Sequence, residues 1–189
     1  MKAIIFYICL PFIYLISILP FWLLYLVSDF FYFLLYYCIG YRKKVVIENL
    51  KNSFPEKSTE EIKKISKEYF KYLCDLMLET LKTLTMSKEE MMKRCVMDPK
   101  SIQLMQRLYN ENKNLVLVVG HYGNWEWAGA CFSYNLDYKL YVIYKPLANK
   151  YFDRLIYQMR SRPGTGLIAF KDVLRSMITV SYTHLTLPT

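Results

Sequence analysis

The chain has 189 residues, 54% of them apolar, with 18 tyrosines, 11 phenylalanines and a formal net charge of +9. That length holds one domain of ordinary size plus an extra segment. The five cysteines, Cys9, Cys38, Cys74, Cys95 and Cys131, include no CxxC pair and give no zinc or disulfide framework. Their odd number beside an apolar N-terminus suits a reduced cytoplasmic compartment, and each reads as a buried apolar thiol. The basic balance favours anionic partners: phosphorylated glycolipids, membrane lipids or an acidic carrier protein. Nucleic acid is the weaker reading, because no nucleic-acid-binding motif accompanies the charge.

Residues Ala3–Tyr37 are almost wholly apolar, and Asp29 is their only charged side chain. A bilayer core takes about 20 helical residues, which places one membrane span near Ile4–Leu24. Phe30–Tyr37 then reads as an interfacial aromatic segment or a second, shorter hydrophobic helix. Pro11 and Pro20 are expected to kink the span without removing it from lipid. The run is too long, and lacks the small-x-small site, for a cleaved signal peptide. Arg42, Lys43 and Lys44 follow at once, so the positive-inside tendency puts the remainder in the cytoplasm. The expected organisation is an anchor and interfacial segment over residues 1–40 and a cytoplasmic domain over residues 41–179.

Ser58 and Glu61 form a capping box that opens a helix. Ile62, Ile65, Tyr69, Leu73, Met77 and Leu81 give it an apolar stripe at helical spacing. Ser87 with Glu90 repeats the capping signal for a second helix. A third is expected from Pro99 to about Asn110, with Glu111–Asn114 as the turn out of it. Leu115–Val119 is a run of branched residues without alternation, the pattern of a central strand covered on both faces. Tyr138–Tyr144 and Leu167–Phe170 are further strand candidates, with Leu147–Arg160 a helix between them. The alternation of strands and helices predicts an α/β fold.

Another helix begins near Lys171 and is interrupted by Val180–Thr189, VSYTHLTLPT, which carries no charge. That string resembles a translated sequencing adaptor. Residues 180–189 are therefore expected to be a non-native tail, His184 included, on a chain that lacks the C-terminal part of its domain. A translated adaptor, like a fusion scar, carries no information about the fold.

His121 is then the one native histidine. It follows the expected strand, between Gly120 and Gly123, and reacting groups commonly gather at the carboxyl ends of strands in α/β sheets. Glu126, five residues on, is placed to return to the imidazole across a turn into a helix. A carboxylate there fixes the ring's tautomer and supports the imidazolium. The other ring nitrogen is left to take a proton from a hydroxyl, a poor nucleophile at neutral pH. A lone His–Glu pair is weak evidence, and a structural histidine is its plain alternative. No GxSxG serine, glycine-rich phosphate loop or second histidine for a zinc site competes with it. Asn124 is placed to cap the helix after His121. Trp125 and Trp127 read equally as pocket lining or as core anchors.

GHYGNWEW matches the H-x4-D/E motif of glycerolipid acyltransferases in its Glu form. That form resembles the lipid A biosynthesis (lauroyl/myristoyl-type) acyltransferases. YRKKVVIENLKNSFP (Tyr41–Pro55), VIYKPLANKYFDRLI (Val142–Ile156) and MRSRPGTGLI (Met159–Ile168) resemble the same group, in order and at sensible spacing. Pro163 departs from the pattern, in which a larger residue is expected before the glycine. The resemblance implies a single N-terminal membrane helix, a location at the bacterial inner membrane and a cytoplasmic active site. It implies no resident cofactor and no metal, with an acyl-carrier-protein or coenzyme A thioester as co-substrate. The implied acceptor is a hydroxyl of a phosphorylated, acylated glucosamine disaccharide. By the same analogy His121 is the general base and Glu126 its orienting partner. Asn124, Lys145, Arg160 and Arg162 become candidates for substrate or oxyanion contacts. For Lys145 and Arg160 a solvated surface charge is the standing alternative, and Arg154 reads as a surface charge. Two rival readings remain at this point: an acyltransferase of the same fold acting on a lysophospholipid or glycosylated inositol lipid, and a non-catalytic protein that binds anionic lipid.

Overall fold

The computed structural model describes the backbone of residues 2–184 and the side chains of residues 2–179. The side chains of the expected tail, residues 180–189, lie outside that range. The chain divides into two compact units, residues 11–86 and residues 1–10 with 87–189.

The first of these units is helical. Helix α1 (Lys2–Ile18) contains Pro11 and ends just before Pro20; α2 (Phe21–Phe33) starts directly after that proline. The expected span over Ile4–Leu24 is therefore broken. Proline supplies no N–H and disfavours the helical conformation in the residue before it, so Pro20 terminates one helix and caps the next. The helix long and apolar enough to cross a membrane is instead Phe21–Ile39. Its last part, Leu34–Ile39, is π-helical. It closes at Gly40, whose φ of 65° is cheap only without a Cβ. There the Gly40 and Tyr41 N–H groups both reach back to the Leu35 carbonyl. Helix α3 (Lys43–Ser53) follows.

Helix α4 (Thr59–Lys82) opens with the predicted capping box: the Ser58 hydroxyl accepts from Glu61 N–H and the Glu61 carboxylate accepts from Ser58 N–H. Its buried line is Ile62, Ser66, Phe70, Cys74, Leu78 and Lys82, every fourth residue. Tyr69 and Met77 of the predicted stripe are exposed. The face is rotated by one position because small Ser66 and Cys74 sit in the line itself, where apolar spacing does not register them. Helices α2 and α4 run antiparallel: Tyr25 pairs with Glu79, Asp29 with Lys71, and Tyr36 stacks edge-on against Phe70. The buried Lys82 ammonium donates to the carbonyls of Ser17 at 2.9 Å and Leu19 at 2.7 Å. Thr85 also donates to Ser17. These bonds satisfy carbonyls that the end of α1 leaves open.

In the other unit, Ser87 caps α5 (Lys88–Arg94) as its spacing from Glu90 predicts, and Asp98 caps α6 (Pro99–Asn110). Glu90 turns to Arg94 at 2.7 Å. Residues 111–120 hold no strand, contrary to the expectation for Leu115–Val119. A strand exists through its ladder, and among the described residues none pairs with this segment. Val116 and Val118 are 83% and 93% exposed. The sheet consists of two parallel strands, β1 (Tyr141–Tyr144) and β2 (Gly166–Ala169), with Tyr141 opposite Gly166. The α/β order survives on a small scale within a mostly helical chain. Between the strands lies α8 (Lys150–Ser161), which starts later than predicted because Asn149 caps it through Tyr151 N–H. Phe6 of α1 packs against Tyr151 and Phe152 of α8. After β2, a turn of 3-10 helix at Phe170–Asp172 leads into α9 (Val173–His184).

Only Cys74 and Cys131 are buried; Cys9 and Cys95 are half-buried and Cys38 is exposed. The expectation of five buried thiols is corrected to two. Cys38 lies within the π-helical segment, and an apolar composition there does not imply burial.

Candidate active site

The stretch Gly120–Trp127 is shaped by local turn chemistry. Gly123 has φ 63°, the left-handed region that glycine enters without strain. Asn124 is the N-cap of α7 (Trp125–Asn135), and its side-chain oxygen accepts from Trp127 N–H at 3.1 Å. In this arrangement Asn124 satisfies a helix terminus. Trp127, Ala130 and Cys131 form the buried face of α7, so Trp127 is a core anchor. Trp125 points elsewhere and receives the His121 ring edge-on, with centroids 4.8 Å apart. His121 and Tyr122 are exposed, and the residues before them are not a strand.

Glu126 sits in the first turn of α7, one residue from the His121 contact. Its carboxylate does not meet the imidazole as expected. Both of its oxygens are taken by Arg160, one from Nε at 2.9 Å and one from a terminal guanidinium nitrogen. The fork matches a carboxylate better than a ring edge does, and charge assistance strengthens both bonds. Arg160 lies in the last turn of α8. A carboxylate at a helix N-terminus and a cation at a helix C-terminus are each favoured by the helix dipole. The Glu126 carboxylate holds the Arg160 guanidinium above its ordinary pKa despite partial burial.

Tyr144 and Asp153, which carry no signal of their own in the sequence pattern, adjoin this pair. Burial, then the charge of Asp153, raises the Tyr144 phenol, while Arg160 opposes the shift. Asp153 accepts from Leu147 N–H at 2.8 Å and so pins the loop after β1. Lys145 is exposed at the start of that loop, and Arg162 is exposed at the C-terminal end of α8. Beyond them Gly164 has φ 93°, and its carbonyl accepts from Lys139 at 2.8 Å. The structure thus joins Glu126 to Arg160, sets His121 on Trp125, and leaves Lys145 and Arg162 at the surface. The Glu126–Arg160 pair had one legible signal, opposite charges at the two helix ends their dipoles prefer.

An exposed imidazole is chemically able to accept a proton from a hydroxyl. No curated protein and no solved structure matches the chain. Residues 1–181, which include this whole site, match the bacterial lipid A biosynthesis acyltransferase family, and the chain belongs to it.

Proposed function

We propose that the chain transfers a fatty acyl group from a thioester, on acyl carrier protein or coenzyme A, to a hydroxyl of a phosphorylated lipid A precursor at the cytoplasmic side of the inner membrane. The observation that carries this reading is the family match across GHYGNWEW, with His121 exposed at the entrance to α7. His121 removes the hydroxyl proton as the oxygen attacks the thioester carbonyl. The tetrahedral oxyanion collapses, the carbon–sulfur bond breaks, and the imidazolium returns the proton to the departing thiolate. The products are an ester and a free thiol. Glu126, held by Arg160 in the first turn of α7, supports the imidazolium that forms through its charge. Lys145 and Arg162 supply positive charge for the phosphates of donor or acceptor, an attraction that weakens with salt.

The test is transfer from an acyl-carrier-protein thioester to a tetra-acylated, phosphorylated glucosamine disaccharide, with a lysophospholipid as the competing acceptor. His121→Ala is expected to lower the rate by about 10²–10⁴-fold, the usual range for a general base. Its unfolding curve should be unchanged, because the ring is exposed. A rate that survives the substitution overturns the catalytic reading, and preference for the lysophospholipid overturns the acceptor.

A further inference from the structure

The apolar helix Phe21–Ile39 has two unlike long faces. One packs on α4 through Tyr25–Glu79 at 2.7 Å, Asp29–Lys71 at 3.0 Å, and Tyr36 against Phe70. The other carries Trp22, Leu26, Phe30, Phe33 and Tyr37, each more than half exposed. The first four fall within roughly 80° of arc at 3.6 residues per turn, and Tyr37 continues the line. An unbroken stripe of large apolar and aromatic side chains calls for a cover.

Length and composition alone would send this helix across a bilayer. Its packing argues otherwise. Asp29 stands near the middle of the 19 residues, so a perpendicular helix would carry it to the centre of the hydrocarbon. Its partner Lys71 would go with it, and both side chains of the pair are about half exposed to solvent. Glu79 would follow through its bond to Tyr25, as would the rest of α4, whose outer face bears Lys63, Lys64 and Lys67. Charged groups at that depth are costly, and they persist when enclosed by protein; this pair is not enclosed. Helices that instead lie in the interface bury one apolar face and keep a charged face in water. Arg42 and Lys44, exposed just beyond the helix end, complement anionic head groups.

We infer that Phe21–Ile39 lies along the membrane surface, with the Trp22–Leu26–Phe30–Phe33–Tyr37 stripe immersed in a bilayer containing anionic lipid, and does not cross it. This inference rests on the membrane location proposed above. Nitroxide depth measurements test it on the full chain in phosphatidylethanolamine–phosphatidylglycerol vesicles. Cys9, Cys38 and Cys95 are replaced by serine; Cys74 and Cys131 stay as the buried background. Spin labels are then placed one at a time through Trp22→Cys, Leu26→Cys, Phe30→Cys and Tyr37→Cys. An in-plane helix gives depths that agree along the stripe to within about 3 Å, as suits one face at one level. A crossing helix places Phe30 about 10 Å deeper than Trp22 and Tyr37, given a 1.5 Å rise per residue. That profile overturns the in-plane arrangement and leaves the membrane location standing. Failure of the unlabelled chain to sediment with such vesicles overturns both.

Discussion

Glu126, in the first turn of α7, and Arg160, in the last turn of α8, grip one another through two parallel hydrogen bonds, and the Glu126 side chain is only 13% exposed. The pair locks the helix that carries the site to the helix between the two strands. Removing the guanidinium leaves a largely buried carboxylate uncompensated. Breaking a fully buried pair costs about 3–5 kcal/mol. Arg160 is 31% exposed, so Arg160→Ala is expected to cost on the order of 2 kcal/mol in urea unfolding. Arg160→Lys should recover only part, because an ammonium cannot make the fork. The double variant Glu126→Gln/Arg160→Met should regain most of the stability yet stay inactive in acyl transfer. If that double variant turns over normally, the pair holds helices together and has no part in positioning the site.

The parts of this fold that were legible in the sequence are those governed by neighbours along the chain. The Ser58–Glu61 box, the Ser87 cap and the Asn124 cap all form where their spacing places them. What was not legible depends on partners distant in the chain. Leu115–Val119 has strand composition but no ladder to join, so its pattern alone misled. The hydrophobic run to Leu24 gave no sign that Pro20 would end a helix there, because apolar windows do not weigh one missing N–H. A spacing of five residues suggests a pair between His121 and Glu126. The better acceptor geometry came from Arg160, 34 residues away.

Lys82 is a second place where one charge holds two elements. Its ammonium is buried and donates to two carbonyls at the end of α1. Hydrogen bonds from a charged donor are worth roughly 1.5–3 kcal/mol. Lys82→Met keeps the stem's packing but takes this donor from Leu19 and leaves Ser17 with Thr85, so a loss of about 2 kcal/mol is expected on that scale. Thermal unfolding measured beside Lys71→Met gives the contrast. Lys71 pairs with Asp29 while 55% exposed, and a surface pair contributes about 0–1 kcal/mol. Equal losses from the two substitutions would contradict the capping role.

Gly166 lies opposite Tyr141 in the parallel pair, and a Cβ on it would come within 2.5 Å of Cδ1 and 2.6 Å of Cε1 of that ring. The ring covers the glycine and shields a backbone that has no side chain of its own, as aromatic residues do across strands. Gly166→Ala should therefore displace the ring and cost about 1–3 kcal/mol, the usual range for overpacking. Tyr141→Ala in the same chain removes the clash, so the double variant should lose less than the sum of the two single losses. Additive losses in denaturant unfolding would show that the ring is free to swing away.

Cys95 caps the C-terminus of α5 and lies beside Cys131 of α7, whose thiol donates to the Cys95 carbonyl at 2.8 Å. When the Cys131 thiol turns its one proton from the Cys95 carbonyl to the Cys95 sulfur, that thiol–thiol hydrogen bond favours the Cys95 thiolate and lowers its pKa to about 7, although partial burial works the other way. The thiol–thiol hydrogen bond, with burial, pushes Cys131 up, so it stays protonated as the donor. The sign follows directly. The Cys95 thiolate fraction rises as pH passes upward through about 7 and vanishes below it. Iodoacetamide modification of Cys95, followed by peptide mass spectrometry, should reach half its limiting rate near that pH. An ordinary thiol does so near pH 8.5. Cys131→Ala removes the donor and should move the midpoint upward by one to two pH steps, roughly back to the ordinary thiol range. Because the folded-state value is depressed, ionisation of Cys95 adds stability above pH 7, and that gain is lost as pH falls through 7. A midpoint that ignores Cys131→Ala would place the cause elsewhere, with the α5 terminus itself the next group to test.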